Sequence, residues 1–376
     1  MKIERIDVLP VRLPLKAVVT LARGVSRTIE EGKQIAMVKI TGDDGTVGWG
    51  EAGPSRRWSA ETTHSVYTTI KHYLAPALIG RDPFDMAGLH AAMNTEMAPG
   101  LDPGQPVAKA AIDVAVHDLI CRHLGISLQS WLGGKRGDGV ELSRLVSASG
   151  PDDAAEITRA ALAEGYRAFK VKVGHDPSID VDVVRAVMAT APGCVVWPDA
   201  NQGYSLDQAL LMARAYEDLG VTVFEQPIPM TDVTGMRRLM HATRLTIVLD
   251  EAAMGIPYLV ELMRRDAVEG IAIKVNKVGG LYYARQMCDL ARSTGMTLIG
   301  SGLMDAPIGF AASVQLFAAY GIDFPVDLNG PQHIAEDYLA KPYPMDGMRA
   351  LVPDGPGLGI EIDEDKVAAF ALDLKL

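Results

Sequence analysis

The sequence predicts an α/β fold: a (β/α)8 TIM-type barrel preceded by an α+β capping domain that the C-terminal segment completes. Three observations carry this expectation. First, short apolar runs rich in β-formers recur through the second half of the chain, each ending in a polar residue. They are AFKVK at Lys172, VVWPD at Asp199, TVFE at Glu225, TIVLD at Asp250, IAIK at Lys274, TLIGS at Ser301 and DFPVD at Asp327. Second, these ends lie 24 to 27 positions apart, a spacing that fits one strand, one helix and two short loops. Third, the runs are apolar almost throughout, the signature of parallel strands buried on both faces and joined by right-handed crossovers.

The segments between the runs read as helices. Pro151–Gly165 opens on Pro-Asp-Asp, carries Ile157, Ala161 and Leu162 on one face, and stops at a glycine. Ser205–Leu219 and Leu281–Thr294 follow the same pattern, the latter with Met287, Leu290 and Ala291 as its stripe. A further run at Leu142–Ser147 supplies the first of eight strands. A doubly wound open sheet would carry a GxGxxG turn after its first strand, and none is there.

The first part of the chain differs. Ile3–Leu13 and Gln34–Thr41 read as strands, with Asp43-Asp44-Gly45 as the turn into Val47–Trp49. Helical stretches follow around Ser59–Leu78 and Ala108–Leu124. The expected division is a capping domain over 1–130, the barrel over 131–340, and a segment over 341–376 that packs on the cap. That last segment holds short extended pieces and the patch PDGPGLG at 353–359.

Composition narrows the function. The chain has 376 residues, 48% hydrophobic and 22% charged, as in an ordinary globular protein. Its 36 basic against 47 acidic residues give a formal charge of −11, which supplies no field for collecting nucleic-acid phosphates. Cys121, Cys194 and Cys288 are odd in number and far apart, so neither a disulfide framework nor a CxxC metal site is predicted. The N-terminus MKIERIDVLPVRLPL has no apolar core of a signal peptide, and no run is long enough to span a bilayer. A cytoplasmic protein with no membrane or nucleic-acid partner is the expectation.

In a parallel barrel the C-terminal strand ends face the active site. Five consecutive runs end there in Lys172, Asp199, Glu225, Asp250 and Lys274. Three converging carboxylates repel one another unless a cation joins them, and carboxylate oxygens suit Mg²⁺. Lys170 and Lys172, two apart on a strand, share a face. Lys274 would approach from the opposite side of the barrel. Two bases flanking one carbon form an arrangement for removing a proton and returning one.

These residues resemble a known set. KVK at 170–172, DAN at 199–201, EQP at 225–227, DE at 250–251 and IKVNKVGG at 273–280 are similar to the motifs of the enolase superfamily, and more narrowly of its muconate lactonizing enzyme subgroup. WGE at 49–51 and the AAIDVAVHDL…WLGG stretch at 110–134 resemble that family's capping domain. The resemblance implies that Asp199, Glu225 and Asp250 bind Mg²⁺, for which Mn²⁺ can substitute. It also implies that Lys172 and Lys274 are the acid/base pair and that Lys170 supports the substrate carboxylate. The chemistry it implies is removal of the α-proton of a carboxylate through a metal-stabilised enediolate. The seventh run reads GSGLMDAP, without the histidine of the mandelate racemase branch.

The resemblance further implies substrate contacts from Asn201, from Ser301 and Asp305, from Asp327 and Asn329, and from the loop Leu21–Gly32. Asp305 has a second reading, as a cap of the following helix. One acid at the eighth strand, with Asn329 where dipeptide epimerases carry a second, suggests an amino- or imino-acid derivative. Racemisation or epimerisation is therefore expected first, then dehydration of a substrate such as cis-3-hydroxyproline, then muconate-type cycloisomerisation. A metal-independent Schiff-base aldolase using Lys274 leaves the three acids without a task. The family's habit of assembling implies a homo-oligomer.

Overall fold

The computed structural model describes residues 1–21 and 24–374. Seven parallel strands lie side by side in chain order: Arg144–Val146, Ala168–Lys172, Val195–Asp199, Val223–Glu225, Thr246–Leu249, Gly270–Ile273 and Thr297–Gly300. Helices Pro151–Glu164, Pro177–Thr190, Leu206–Leu219, Val233–Ala242, Ile256–Arg264 and Leu281–Thr294 connect them. The sheet curls until one short segment touches both of its outer strands' ends. Asp327 bridges Ser301 on one side, and Val326 bridges Leu142 on the other. Val326 N–H donates to the Glu141 carbonyl at 2.8 Å, and Asp327 N–H to the Gly300 carbonyl at 2.9 Å.

Register sets the level of the polar strand ends. Lys172 lies opposite Asp199, and Asp199 opposite Glu225. Two residues below the polar ends, Trp197, Val223, Val248, Ala272 and Ile299 join Ala168 in an apolar cluster of their own, with Phe324 packed against it. Side chains two apart on a strand share a face. This apolar layer therefore directs the next layer, Lys170 to Ser301, to the same side of the sheet.

The N-terminal unit is a three-stranded antiparallel sheet of Ile3–Leu13, Lys33–Gly42 and Val47–Ala52, with helix Pro106–Leu124 laid across it. Strand and helix approach so closely that only glycine fits. A Cβ on Gly50 would stand 1.9 Å from the Ala111 carbonyl oxygen, and one on Gly48 2.2 Å from that of Ala115. The C-terminal segment lies along this unit: Arg12 N–H donates to the Phe370 carbonyl and Leu372 N–H to that of Pro10, each at 2.9 Å. Strand Arg349–Leu351 pairs with Gly139–Glu141.

Several details depart from expectation. The helix expected from Ser59 starts at Thr63, because Thr62 and Ser65 form a capping box. It then passes through a π-turn at Ile70–Leu74. Helix Met86–Glu96, capped by Asp85, and the hairpin Val19–Leu21 with Gly24–Arg27 were not anticipated. The first parallel strand is shorter than the run Leu142–Ser147 that marked it.

One buried carboxylate ties the N-terminal helix to the sheet layer. Asp113 accepts from the backbone N–H of Leu281 at 2.5 Å, capping helix Leu281–Thr294, and meets His90 Nε2 at 2.8 Å. His117 lies 3.3 Å from its other oxygen. Removing one partner of such a buried charge set leaves the others uncompensated. Asp113→Ala is expected to lower unfolding free energy by about 3–5 kcal/mol, read from urea denaturation; a loss below about 1 kcal/mol would refute this role.

Candidate active site

The polar strand ends form one ring in which the consecutive acids Asp199, Glu225 and Asp250 are met by lysines from both sides. Lys170 Nζ donates to Glu225 Oε1 at 2.8 Å and to Asp327 Oδ2 at 2.9 Å, and lies 2.9 Å from Asp199 Oδ2. Lys172 Nζ donates to that same Asp199 oxygen at 2.7 Å and to Asn201 Oδ1 at 2.7 Å. Across the ring, Lys274 Nζ donates to Asp250 Oδ2 at 2.6 Å. Lys277 meets Asp250 Oδ1 at 2.9 Å and the Ala272 carbonyl at 2.9 Å. Asp199, Glu225 and Asp250 have no exposed surface.

Burial on this scale disfavours every charge, so the partners decide each protonation state. Burial opposes the charge on Lys170, yet Asp199, Asp327 and Glu225 together hold its pKa well above the usual value. Asp199 is held down to about 2, against its burial, by Lys170 and Lys172. Asp250 is held well below the carboxylate range by Lys274 and Lys277, again against burial. Lys274 is raised by Asp250 despite burial, and so stands as an ammonium. Glu225 is pushed up to about 7 by burial and by the neighbouring Asp199.

The oxygen-only donor set suits a hard divalent cation. Among the described residues no three acidic, histidine or cysteine side chains stand in a ready-made ligand cage; lysine Nζ atoms and the Trp197 indole already engage these oxygens. The fit is nevertheless supported by an unsatisfied oxygen. Glu251 Oε1 accepts from Asn201 at 3.2 Å, while its buried Oε2 has no partner. Burial and Asp250 push the Glu251 carboxyl up to about 7. This rim therefore holds acceptor oxygens in excess of its donors.

The predicted substrate contacts divide into two groups. Asn201, Ser301, Asp327 and Asn329 join the ring: Ser301 Oγ lies 3.4 Å from Asp327 Oδ2, and Asn329 Nδ2 3.3 Å from Asp327 Oδ1. Asp327 is met by Lys170, an ion pair that sequence spacing does not reveal. Asp305 stands apart, accepting from Asn276 Nδ2 at 2.8 Å and Leu303 N–H at 3.3 Å. It does not cap the following helix, whose N-cap Ala306 makes no side-chain bond. Of the loop Leu21–Gly32, residues 22 and 23 lie outside the described residues.

Four contributors escaped the sequence reading. Lys277 and Asn276 sit in the IKVNKVGG run, and the signal was a second lysine three positions after Lys274. Trp58 lays its ring 4.5 Å from Lys274 Nζ. Glu51, of the WGE motif, is buried against the Tyr338 hydroxyl, which donates to it.

Burial pushes Glu51 up to about 7, from an ordinary 4.5. The folded state thus keeps a proton that the unfolded state releases above about 4.5. Stability contributed by this group is complete below that pH and lost as pH rises through 7. Glu51→Gln, neutral at all pH, is expected to flatten the fall between pH 5 and 8 and to gain on the parent at pH 8 by about 3 kcal/mol at most. Urea unfolding at the two pH values checks it; equal slopes would contradict it.

A sheet with its polar ends on one level, closed by lysines around three buried acids, defines an enolase-superfamily enzyme. Two family models agree: the mandelate racemase/muconate lactonizing enzyme N-terminal domain matches residues 8–133, and the enolase C-terminal domain-like model residues 152–366. The chain belongs to this family, in its muconate lactonizing enzyme subgroup. It is 30% identical to a chloromuconate cycloisomerase of Pseudomonas putida, over 98% of this chain and 99% of that one. It is 28% identical to the N-succinyl-L-Arg/Lys racemase of Bacillus cereus, over 97% and 96%. The solved structure of that racemase superposes with a TM-score of 0.92 at 27% identity, covering 99% of each chain. The L-Ala-D/L-Glu epimerase of Bacillus subtilis superposes at 0.89 with 28% identity, over 96% and 99%. These relatives are isomerases. No helix among the described residues is long and apolar enough to cross a membrane.

Proposed function

We propose that the chain removes and returns the α-proton of a carboxylate substrate, racemising or epimerising an amino-acid or proline-type derivative. The observation that carries this reading is the separation of two lysine side chains by three buried acids, with Lys172 on Asp199 and Lys274 on Asp250. The two lysines belong to strands four apart in the sheet. A substrate carbon between them offers one face to each. Lys172, oriented by Asn201, takes the proton from one face; the Lys274 ammonium supplies one to the other. Lys170 holds positive charge beside the position of the substrate carboxylate. Asp199, Glu225 and Asp250 would hold Mg²⁺, which when bound would stabilise the charge that builds on that carboxylate.

On this reading the sheet and the 326–327 segment form a closed (β/α)8 barrel over 131–340. Residues 1–130 cap its mouth, with 341–376 packed on the cap, in a cytoplasmic homo-oligomer. A second reading, cycloisomerisation of a diacid, gains from the Lys170–Asp327 pair, which neutralises the acid that would otherwise repel a second carboxylate.

Proton NMR in D₂O with Mg²⁺, on N-acyl amino acids, dipeptides, prolines, hydroxyprolines and muconate, tests the reading. Loss of the α-proton signal with growth of the opposite epimer is expected. A dehydrated product would point to a dehydratase and a lactone to the second reading; no exchange anywhere would overturn all three. Lys172→Ala and Lys274→Ala are each expected to lower exchange by a factor of about 10² or more, and chelation to abolish it.

A further inference from the structure

Asp180 belongs to helix Pro177–Thr190, the connection that follows Lys172, and the proton chemistry gives it no task. Its carboxylate is buried and takes three donors on one oxygen. Gly174 N–H and His175 N–H reach Oδ2 at 2.9 and 3.1 Å, and the Tyr204 hydroxyl reaches it at 2.6 Å. Strand pairing ends just before this point. Lys172 lies opposite Asp199, and Val173 N–H continues the ladder by one bond, to the Asp199 carbonyl at 3.0 Å. From there the carboxylate takes over, with charge-assisted bonds roughly twice as strong as neutral ones.

The same oxygen ties in the turn that carries Asn201. Asn201 and Gln202 hold φ values of 41° and 69°, left-handed conformations that side chains rarely adopt, so this turn depends on its surroundings to persist. It is pressed against the loop that leaves Lys172. A Cβ on Gly174 would stand 2.5 Å from the Ala200 carbonyl oxygen, and one on Gly203 2.3 Å from that of Gly174. Tyr204, two residues after Gln202, then fastens the turn to Asp180. Lys172 Nζ donates to Asn201 Oδ1 at 2.7 Å, so Asp180 fixes the backbone on both sides of that bond. Lys274 stands outside this arrangement: its own exit loop closes on itself, with Lys277 and Val278 N–H returning to the Lys274 carbonyl at 3.0 and 3.3 Å.

We propose that Asp180 is a positioning residue for Lys172: by joining the two loops that hold the Lys172 side chain, it aims that amine at one face of the substrate α-carbon and leaves proton transfer by Lys274 at the other face untouched. The inference rests on the reading of Lys172 and Lys274 as bases on opposite faces. Asp180→Ala deletes all three bonds. Asp180→Asn keeps an oxygen that can accept them. Tyr204→Phe leaves the exit loop bound and releases only the Asn201 turn.

The test measures kcat and KM for α-proton exchange in D₂O with Mg²⁺, on the two enantiomers separately of an N-acyl amino acid or proline derivative. One enantiomer presents its α-proton to Lys172 and the other to Lys274; Lys172→Ala identifies the first as the one whose exchange it removes. Asp180→Ala is expected to lower kcat for that enantiomer by about tenfold to a hundredfold. Its KM should stay within about twofold, and exchange of the other enantiomer within about threefold. Asp180→Asn should recover most of the loss, and Tyr204→Phe should show a smaller fall on the same enantiomer alone. Tyr204→Phe carries the test should Asp180→Ala not fold. An equal loss on both enantiomers, or no loss on the one that Lys172 serves, would overturn the proposal while wild-type exchange leaves the functional reading intact. Exchange of fewer than both enantiomers in the wild-type protein would instead overturn the reading of two opposed bases, and this inference with it.

Discussion

Asp250 has no exposed surface and receives two ammonium groups, Lys274 at 2.6 Å and Lys277 at 2.9 Å. Lys170 repeats the situation with the signs reversed, one ammonium among Asp199, Glu225 and Asp327. Charges this deeply buried are tolerated only when paired. On the proposed function the pairing must also be reversible, since a substrate and a cation would need the same groups. The apolar layer beneath, from Ala168 to Ile299, is the floor on which these groups stand.

That floor explains why so much of the ring was legible in the chain. Trp197 and Asp199, Val248 and Asp250, and Ala272 and Lys274 are each two residues apart, so an inward apolar residue announces an inward polar one. The step of 24 to 27 residues between strand ends did the rest. The run DFPVD, which reads as the eighth strand, forms only two isolated bridges in the structure, at Val326 and Asp327. Helix Met86–Glu96 left little trace because polar His90 is buried beside Leu89, Ala92 and Met93 while apolar Ala87 and Ala91 face solvent, which blurs the contrast between its faces.

Contacts between distant segments were not legible at all. Lys33 donates to the Leu303 carbonyl at 2.8 Å across 270 residues, and Tyr338 reaches back to Glu51. From the sequence Asp305 reads equally as a substrate contact or as a cap of the following helix; its carboxylate turns to Asn276, which removes the second reading. Periodicity reports which face a residue takes within its own element. It carries no information about which element will meet that face, and the N-terminal unit reaches Lys274 through Trp58, in a turn with no regular period. Trp58 is the clearest case: nothing in its neighbours, Arg57 and Ser59, marks it as the residue that meets Lys274.

The central claim is that Asp199, Glu225 and Asp250 act as one cation site whose charge the lysines share. Calorimetric titration of Mg²⁺ into the wild-type protein and into Glu225→Gln tests it without reference to any substrate. One Mg²⁺ bound per chain, with affinity weakened by more than about tenfold in the variant, is the predicted result. Equal affinity in the two proteins, or no binding to the wild type, would contradict the account.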